Sequence, residues 1–363
     1  MTVIFSTFFT GFVVCVLLIP IIISFFTKKK IFDEPGKRKI HKGVKPSLGG
    51  IAIFLGLFVA NLIWMPISDL AEYKYLFGSL FIMFLIGVRD DLYPLRPAHK
   101  LIGQILAASI VITLNGVSFN SLYGLLGVYE LPMLLGYAIS LFTFVVVTNS
   151  FNLIDGIDGL AGSISLLALS SFGIWFYLID EQVISILIFS FAGAILGFLY
   201  FNWAPSKIFM GDTGALLIGF FLSVCTIFFI DYNFNLPTGN PYKFTAGIAT
   251  AICVIIMPLF DTLRIFISRI IRKRSPFSPD KNHIHHILMR FGFGHRETVF
   301  ILGFVNLVFI FIAILLGRTL NDHVLIPIVI AVTVVFSLLL DFFIMKKYYL
   351  TRKKEAESQQ EVI

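Results

Sequence analysis

The sequence has few charged residues. Asp, Glu, Lys and Arg make up only 13% of its 363 residues, whereas 58% are apolar. Soluble domains have about 25% charged and about 45–50% apolar residues. A chain with so few charges cannot cover a water-facing surface. These proportions exclude an ordinary soluble domain and indicate a protein that is surrounded mainly by lipid.

The sequence also lacks the cysteine spacing of a disulfide framework or a zinc site, and the features of a cleavable signal peptide. Cys15, Cys225 and Cys253 each lie within an apolar run, and their spacing fits neither a disulfide framework nor a zinc site. We interpret them as small apolar residues. The first apolar run, residues 3–26, lacks the positive leading region and the small-residue cleavage site of a signal peptide, so we expect a retained helix there.

Long apolar runs fill most of the chain. Lipid offers no partners to backbone N–H and C=O groups, so each spanning run must be helical. The sequence predicts an all-α integral membrane protein with about eleven transmembrane helices. We place them near residues 3–26, 47–66, 75–89, 101–117, 133–150, 158–179, 182–201, 213–230, 244–265, 297–317 and 323–345. Residues 1–350 would form one polytopic membrane domain, and residues 351–363 a short disordered cytoplasmic tail.

Positive residues orient these helices. If the N-terminus lies outside, 25 of the 28 Lys and Arg residues fall on inner segments, and only Lys74, Lys243 and Arg318 fall outside. Positive residues collect on the cytoplasmic side, so we expect an outer N-terminus and a cytoplasmic C-terminus. A basic inner face suits phospholipid head groups, nucleotides and polyprenyl phosphates, although topology alone explains the basic loops equally well. We expect no nucleic-acid partner.

The second inner loop begins with two adjacent carboxylates, Asp90 and Asp91. At a membrane boundary they repel each other and lose hydration, so the pair needs a cation, a proton or a basic neighbour. It is either a helix-end pair neutralised by Arg89 or Arg96, or a metal or substrate site. Lys100 begins the next helix.

The segment from 149 to 160 carries an unusual run of polar residues. Asn149, Asn152, Asp155 and Asp158 recur every three residues, so in a helical or 3₁₀ backbone they would line one side. Such oxygen donors suit a hard cation such as Mg²⁺, which keeps waters and binds phosphate oxygens. The spacing does not fit an EF-hand loop. The alternative is a polar turn that caps two helices.

Two further inner segments carry reactive residue types. Asp212 begins a span between Gly211 and Thr213, and is either a helix cap or a metal ligand. His283-Ile284-His285-His286 holds three of the seven His residues. No Cys is near, so a phosphate clamp fits better than zinc, and a solvated loop is the alternative. We expect Asp261 to pair with Arg264.

Together these segments resemble the polyprenyl-phosphate N-acetylhexosamine-1-phosphate transferases, the family of WecA, TagO and MraY. Five motifs occur in the family's order: Gly36–His41 with Gly49-Gly50, Asp90-Asp91, Asn149–Gly159, Met210–Gly214 and His283–His286. The His-x-His-His form is more similar to WecA and TagO than to MraY. Pro94 stands where the family often has a third Asp, so no role is assigned there.

The resemblance implies transfer of an N-acetylhexosamine 1-phosphate, expected to be the N-acetylglucosamine form, from a UDP-sugar to undecaprenyl phosphate. UMP would be released and a lipid-linked cell-envelope glycan begun. It implies Mg²⁺ as cofactor, with Mn²⁺ as a substitute, and a site on the cytoplasmic face of the bacterial inner membrane. A homodimer stays open. The alternatives are an MraY-type phospho-MurNAc-pentapeptide transferase and, from other classes, a polytopic transporter or a lipid-binding scaffold.

The resemblance also implies residue roles. Asn152 and Asp212 would hold the metal ion. Asp90 and Asp91 would be catalytic, beside the lipid phosphate, and the motif does not say which of them takes its proton. The expected substrate-binding residues are Lys100, Asn149, Asp155, Asp158, His283, His285 and His286.

Overall fold

The apolar runs fold into helices, as backbone groups in lipid require. A computed structural model describes residues 1–29, 45–273, 275 and 283–360. Within those residues the chain forms fourteen α-helices, one short 3₁₀ helix and no β-strand. The helices are α1 (Thr2–Lys29), α2 (Gly49–Trp64), α3 (Ile67–Glu72), α4 (Lys74–Leu92), α5 (Pro97–Leu114), α6 (Met133–Ile154), α7 (Leu160–Leu178), α8 (Gln182–Asn202), α9 (Gly211–Asn235), α10 (Gly247–Val254), α11 (Ile256–Ile271), α12 (Ile284–Arg290), α13 (His295–Leu316) and α14 (Asp322–Gln360).

Eight of the described helices are long and apolar enough to cross a membrane, and a bent pair makes a ninth span if it is counted as one. The apolar α2 has only 16 residues, and α4 carries charges at both ends. The prediction of an all-α, multi-pass membrane protein is confirmed. The count of eleven spans, the orientation and the domain boundary after residue 350 stay predictions.

The ninth predicted span, residues 244–265, is broken rather than straight. Its two halves, α10 and α11, meet at 85°. Pro258 has no N–H, and its ring would clash with the carbonyl of Val254 in a continuous helix. Asn306 of α13 bonds to both sides of the break: its Nδ2 donates to the Val254 carbonyl at 3.2 Å, and its Oδ1 accepts from the Met257 N–H at 3.4 Å. This buried amide replaces bonds that lipid could not supply.

Helix α9 lies at the centre of the bundle. Every residue from 213 to 227 is buried, and α2, α4, α6, α7 and α10 pack against this helix. Its start is joined to α2, because the N–H groups of Gly49 and Gly50 donate to the carbonyls of Phe209 and Met210 at 3.0 Å each. The beginnings of α2 and α9 therefore lie side by side.

The turn into α9 requires glycine. Gly211 has a φ of 72°, in the left-handed region, and a Cβ there would lie 2.0 Å from the Ser47 carbonyl oxygen. No other residue fits both conditions. This turn places the half-buried Asp212 directly before the buried stretch 213–227 of α9.

The last helix, α14, extends to Gln360, so residues 351–360 are helical where the sequence predicts a disordered tail. These residues are mostly Lys, Arg, Glu, Gln and Ala, which are strong helix formers. They extend a helix that already exists, so the unfavourable nucleation step is not needed. Residues 361–363 and the predicted Gly36–His41 motif lie outside the described residues.

The role of Asn306 can be tested by substitution. We expect Asn306→Ala to lower the free energy of unfolding by about 1–3 kcal/mol, because it leaves buried backbone groups at the helix break unpaired. Asn235→Ala is the matched control, since the Asn235 amide also bonds to a backbone carbonyl but is exposed; its effect should stay within about 0.5 kcal/mol. Thermal unfolding in detergent measures both. Equal effects would contradict this account of the break.

Candidate functional site

The start of α9 is held by a carboxylate from a neighbouring helix. Asp91, at the end of α4, accepts hydrogen bonds from the N–H groups of Asp212 at 2.8 Å and Thr213 at 3.0 Å, and from the Thr213 hydroxyl at 2.6 Å. These N–H groups have no partner within the helix, and the positive end of the helix dipole favours a negative charge there. Asp91 therefore joins α4 to α9 and fixes the position of Asp212.

One lysine lies between two of the carboxylates. The Nζ atom of Lys100, on the first turn of α5, contacts Oδ2 of Asp90 and Oδ2 of Asp212. The other oxygen of Asp90 accepts from the Leu95 N–H at 2.5 Å. Asp90 is buried, while Lys100 and Asp212 are half-buried. Two negative charges share one positive charge here, so the cluster attracts a further cation.

The end of α6 brings two amides to the same place. Asn152 donates from Nδ2 to Oδ1 of Asp212 at 3.1 Å. One turn earlier, Asn149 donates to Oε1 of the buried Gln104 at 2.8 Å. Helix α6 ends at Ile154, so the predicted continuous row is divided. The two Asn residues lie on the helix and the two Asp residues follow it.

Asp155 follows the end of α6 and lies within the same negative cluster. Burial raises the pKa of its carboxyl, and the charges of Asp212, Asp91 and Asp158 raise it further, to about 7. At neutral pH this carboxyl is therefore divided between its protonated and its ionised form. A protonated carboxyl can donate a hydrogen bond to an anionic oxygen.

Asp158 lies in an adjoining polar cavity of about 400 Å³. It accepts a hydrogen bond from the Ser206 N–H at 3.1 Å, and Nδ1 of His295 and Nζ of Lys45 lie 3.5 Å and 3.9 Å from the same oxygen. Burial opposes ionisation, but the bonds from His295 and Ser206 and the charge of Lys45 outweigh it and lower the pKa of Asp158 to about 2. Asp158 is therefore an anion at neutral pH.

Asp261 of α11 anchors the histidine segment. One of its oxygens accepts from the Ile284 N–H at 2.9 Å and the other lies 2.8 Å from Nδ1 of His283. The expected pairing of Asp261 with Arg264 is wrong, because Nε of Arg264 instead donates to the Ser337 hydroxyl at 3.0 Å. The buried carboxylate satisfies the first turn of α12, a requirement that sequence spacing alone does not reveal.

His285 connects this segment to the Asn and Asp run. It is 2% exposed, and a Cβ on Gly156 would lie 2.2 Å from its Nε2, so only glycine leaves room for the ring. Its ring centre lies 5.6 Å from that of His283 and 4.3 Å from that of His286. Neither ring nitrogen has a hydrogen-bond partner among the described residues. Burial, followed by the charge of His286, lowers its pKa to about 3.

The predicted site residues therefore meet at one end of the bundle, although they come from distant parts of the sequence. Their chemical roles stay predictions. The sequence did not identify Thr213 and Ser206 as partners of Asp91 and Asp158, because hydroxyl and backbone donors leave no recognisable pattern. Residues 279–282, which precede the histidines, lie outside the described part of the chain.

The chain is similar to several known proteins. Residues 73–230 match the family model described as glycosyl transferase family 4. The chain is 33% identical over 312 residues to a probable undecaprenyl-phosphate N-acetylglucosaminyl 1-phosphate transferase of Bacillus subtilis (strain 168), covering 85% of this chain and 84% of the relative. It is 30% identical over 273 residues to the undecaprenyl-phosphate alpha-N-acetylglucosaminyl 1-phosphate transferase of Yersinia pestis, covering 74% and 72%. The Salmonella typhi protein of the same name is 31% identical over 274 residues, covering 74% and 71%.

The buried His285 predicts a pH dependence of stability. Its pKa is about 3 in the folded protein and 6.5 when exposed. Unfolding therefore takes up a proton below about pH 6.5, and the contribution of His285 to stability falls by about 2 kcal/mol between neutral pH and about pH 5. We expect His285→Gln to lose less stability over this range than the wild type, while His99→Gln, which changes an exposed His, behaves like the wild type. Thermal unfolding at both pH values measures this, and an unchanged slope in His285→Gln would contradict it.

Proposed function

The chain belongs to glycosyl transferase family 4, and we propose that it transfers N-acetylglucosamine 1-phosphate from UDP-N-acetylglucosamine to undecaprenyl phosphate. The family match agrees with the resemblance of the motifs. The names of the relatives support the sugar and the acceptor. The observation that carries the proposal is the meeting of Asp90, Lys100, Asn152 and Asp212, from four separate helices, at the start of α9.

We also propose how the chain lies in the membrane. The protein would have eleven spans, with α10 and α11 together as one, an outer N-terminus and a cytoplasmic C-terminus in the bacterial inner membrane. The candidate site then lies at the cytoplasmic boundary, where a water-soluble nucleotide sugar can meet a phosphate whose isoprenoid tail stays in lipid. A homodimer is compatible with the many exposed apolar side chains but needs its own test.

Asp212 and Asn152 fit a magnesium ion. Nδ2 of Asn152 lies 3.1 Å from Oδ1 of Asp212, and after a rotation of the amide the two side chains would offer an amide and a carboxylate oxygen, which a hard cation prefers. No group of three or more His, Cys, Asp or Glu residues suited to a metal occurs in the described ranges. A smaller ligand set suits Mg²⁺, which binds one or two protein groups and completes its coordination with water and phosphate oxygens. Mg²⁺, or Mn²⁺ in its place, would neutralise charge on the pyrophosphate.

The remaining chemistry can be assigned to residues of the chain. An oxygen of the acceptor phosphate forms a bond to the sugar-bearing phosphorus of the nucleotide. The bond from that phosphorus to the bridging oxygen breaks, and UMP leaves with the electron pair. We assign to Asp90 the removal of a proton from the acceptor phosphate, since one of its oxygens accepts from the Leu95 N–H and the other contacts the flexible Lys100, beside Asp212. Both oxygens of Asp91 are bound to α9, so we assign Asp91 a positioning role.

Neighbouring groups would hold the nucleotide. The protonated carboxyl of Asp155 can donate to a phosphate oxygen, and the ionised Asp158 can accept a hydrogen bond from the nucleoside. Lys100 and the His283–His286 segment supply donors to the phosphates. Phosphoryl transfer depends mainly on such positioning and on charge neutralisation.

The transfer itself can be assayed directly. Membranes with the protein, given UDP-N-acetylglucosamine, undecaprenyl phosphate and Mg²⁺, should release UMP and form a glycolipid. We expect Asp212→Ala to lower the rate about 100-fold or more, because the proposed metal ligand is lost. Glu130→Ala, which removes an exposed carboxylate in the loop between α5 and α6, should keep the wild-type rate.

Other outcomes of this assay identify the alternatives. A transporter or a lipid-binding scaffold releases no UMP. An MraY-type enzyme releases UMP only with a UDP-MurNAc-pentapeptide donor, and a panel of UDP-sugars identifies a different epimer. UMP release by Asp212→Ala at the wild-type rate would contradict the metal assignment.

The two adjacent acids should respond differently to substitution. Asp91→Asn keeps one of the two oxygens that accept the N–H groups of α9, so we expect it to keep more of the activity than Asp90→Asn. Asp90→Asn loses the proposed base and should lower kcat by about 100-fold or more. Asp91→Ala should lower the free energy of unfolding by about 0.5–2 kcal/mol, as loss of a helix cap does. UMP release and thermal unfolding measure these effects, and a greater loss of kcat in Asp91→Asn than in Asp90→Asn would reverse the roles.

A further inference from the structure

Both oxygens of the proposed metal ligand Asp212 already have partners. Oδ1 accepts from Asn152 at 3.1 Å, and Oδ2 contacts the ammonium group of Lys100. If the Asn152 amide rotates, its oxygen takes the place of the NH₂ group that faces Asp212. Asn152 then offers a second metal ligand in place of a hydrogen-bond donor. The ammonium group of Lys100 has no such alternative, because it is a cation in either orientation.

A divalent ion and an ammonium group beside one carboxylate repel each other. The repulsion is strong in a half-buried site, where water screens charges poorly. Asp90 contacts the same ammonium group, so its charge lessens this repulsion but does not free the Asp212 oxygen that Lys100 occupies. A metal ion that binds Asp212 therefore has to displace Lys100 from this oxygen.

We propose that Lys100 is an exchangeable cation, which neutralises Asp212 before a divalent ion binds and moves to a phosphate oxygen when that ion binds. The inference rests on the proposed function, since it takes Asp212 as a metal ligand. Lys100 can make this move because it is on the first turn of α5 and its side chain is 25% exposed. An ammonium group on a flexible four-carbon chain can change partners with little reorganisation.

The exchange couples the two ligands of the enzyme. Without a nucleotide, Lys100 competes with the metal ion for Asp212, so the metal ion binds weakly. When phosphate oxygens are present, the displaced ammonium group has a new anionic partner, and binding of the metal ion becomes more favourable. Each ligand therefore strengthens binding of the other, as linkage requires. The site would not hold a divalent ion tightly before its substrate arrives.

The inference is tested by binding of Mn²⁺ alone, without nucleotide. Electron paramagnetic resonance of free Mn²⁺ gives the dissociation constant of the full-length protein in detergent. We expect Lys100→Met to bind Mn²⁺ about 10-fold or more tightly than the wild type, because a charge-assisted hydrogen bond no longer competes. Lys100→Gln, which keeps a donor without the charge, should also bind more tightly, whereas Lys100→Arg keeps the charge and should stay weak.

A matched control separates this competition from a general loss of charge. Lys45 also lies beside a site carboxylate, 3.9 Å from Asp158, so Lys45→Met removes an equal charge without freeing Asp212. We expect Lys45→Met to bind Mn²⁺ within about 3-fold of the wild type, because the charge that it removes does not contact Asp212 and is screened by solvent. Thermal unfolding confirms that each variant is folded before binding is measured.

The outcomes distinguish this inference from the proposed function. If Lys100→Met and Lys100→Gln bind Mn²⁺ no more tightly than the wild type, while Asp212→Asn abolishes binding, the exchange is wrong and the metal ligand stands. If Asp212→Asn in the Lys100→Met background binds Mn²⁺ as well as Lys100→Met alone, Asp212 is not a ligand, and both proposals are wrong.

Discussion

Three carboxylates, Asp90, Asp91 and Asp212, meet at the start of α9, and each of them needs a positive partner there. An unpaired charge is strongly unfavourable in a poorly hydrated site. Asp91 is satisfied by the positive end of α9, while Asp90 and Asp212 share Lys100. These partners come from α4, α5 and α9, so neutralising the charges also holds the helices together. The close packing at the start of α9 follows from this requirement.

The same requirement explains how a distant segment reaches the site. The break between α10 and α11 turns the chain by 85°, and Asn306 satisfies the backbone groups that the break leaves free. Helix α11 then presents Asp261, which binds the start of α12 and the first histidine. His285 completes the connection by packing against Gly156. A proline, a buried amide and a buried carboxylate thus bring the histidines to the Asn and Asp run.

Much of this arrangement can be predicted from the sequence because lipid limits the choices. Apolar runs must be helices, so all eleven predicted segments coincide with a helix or with the bent pair. Asp90, Asn152 and Asp212 were recognised because polar residues at the ends of such runs are rare. The bend at Pro258 was missed, because a proline in an apolar run predicts a kink but not its angle. The sequence predicts Arg264 as the partner of Asp261, whereas the structure pairs Asp261 with His283 and the Ile284 N–H. Spacing along one helix does not reveal a contact with a segment more than twenty residues away.

The roles of adjacent residues are the part that sequence patterns resolve least. Asp90 and Asp91 are chemically identical and consecutive, yet successive residues on a helix point about 100° apart. One therefore faces the backbone of α9 and the other faces the side chain of Lys100. A carboxylate that is bound to a helix start holds that helix in place. A carboxylate that is bound to a flexible cation can exchange this partner for a substrate or a proton. The difference between structural and chemical function in this pair is thus a difference of partners, which only the packing of α4, α5 and α9 decides.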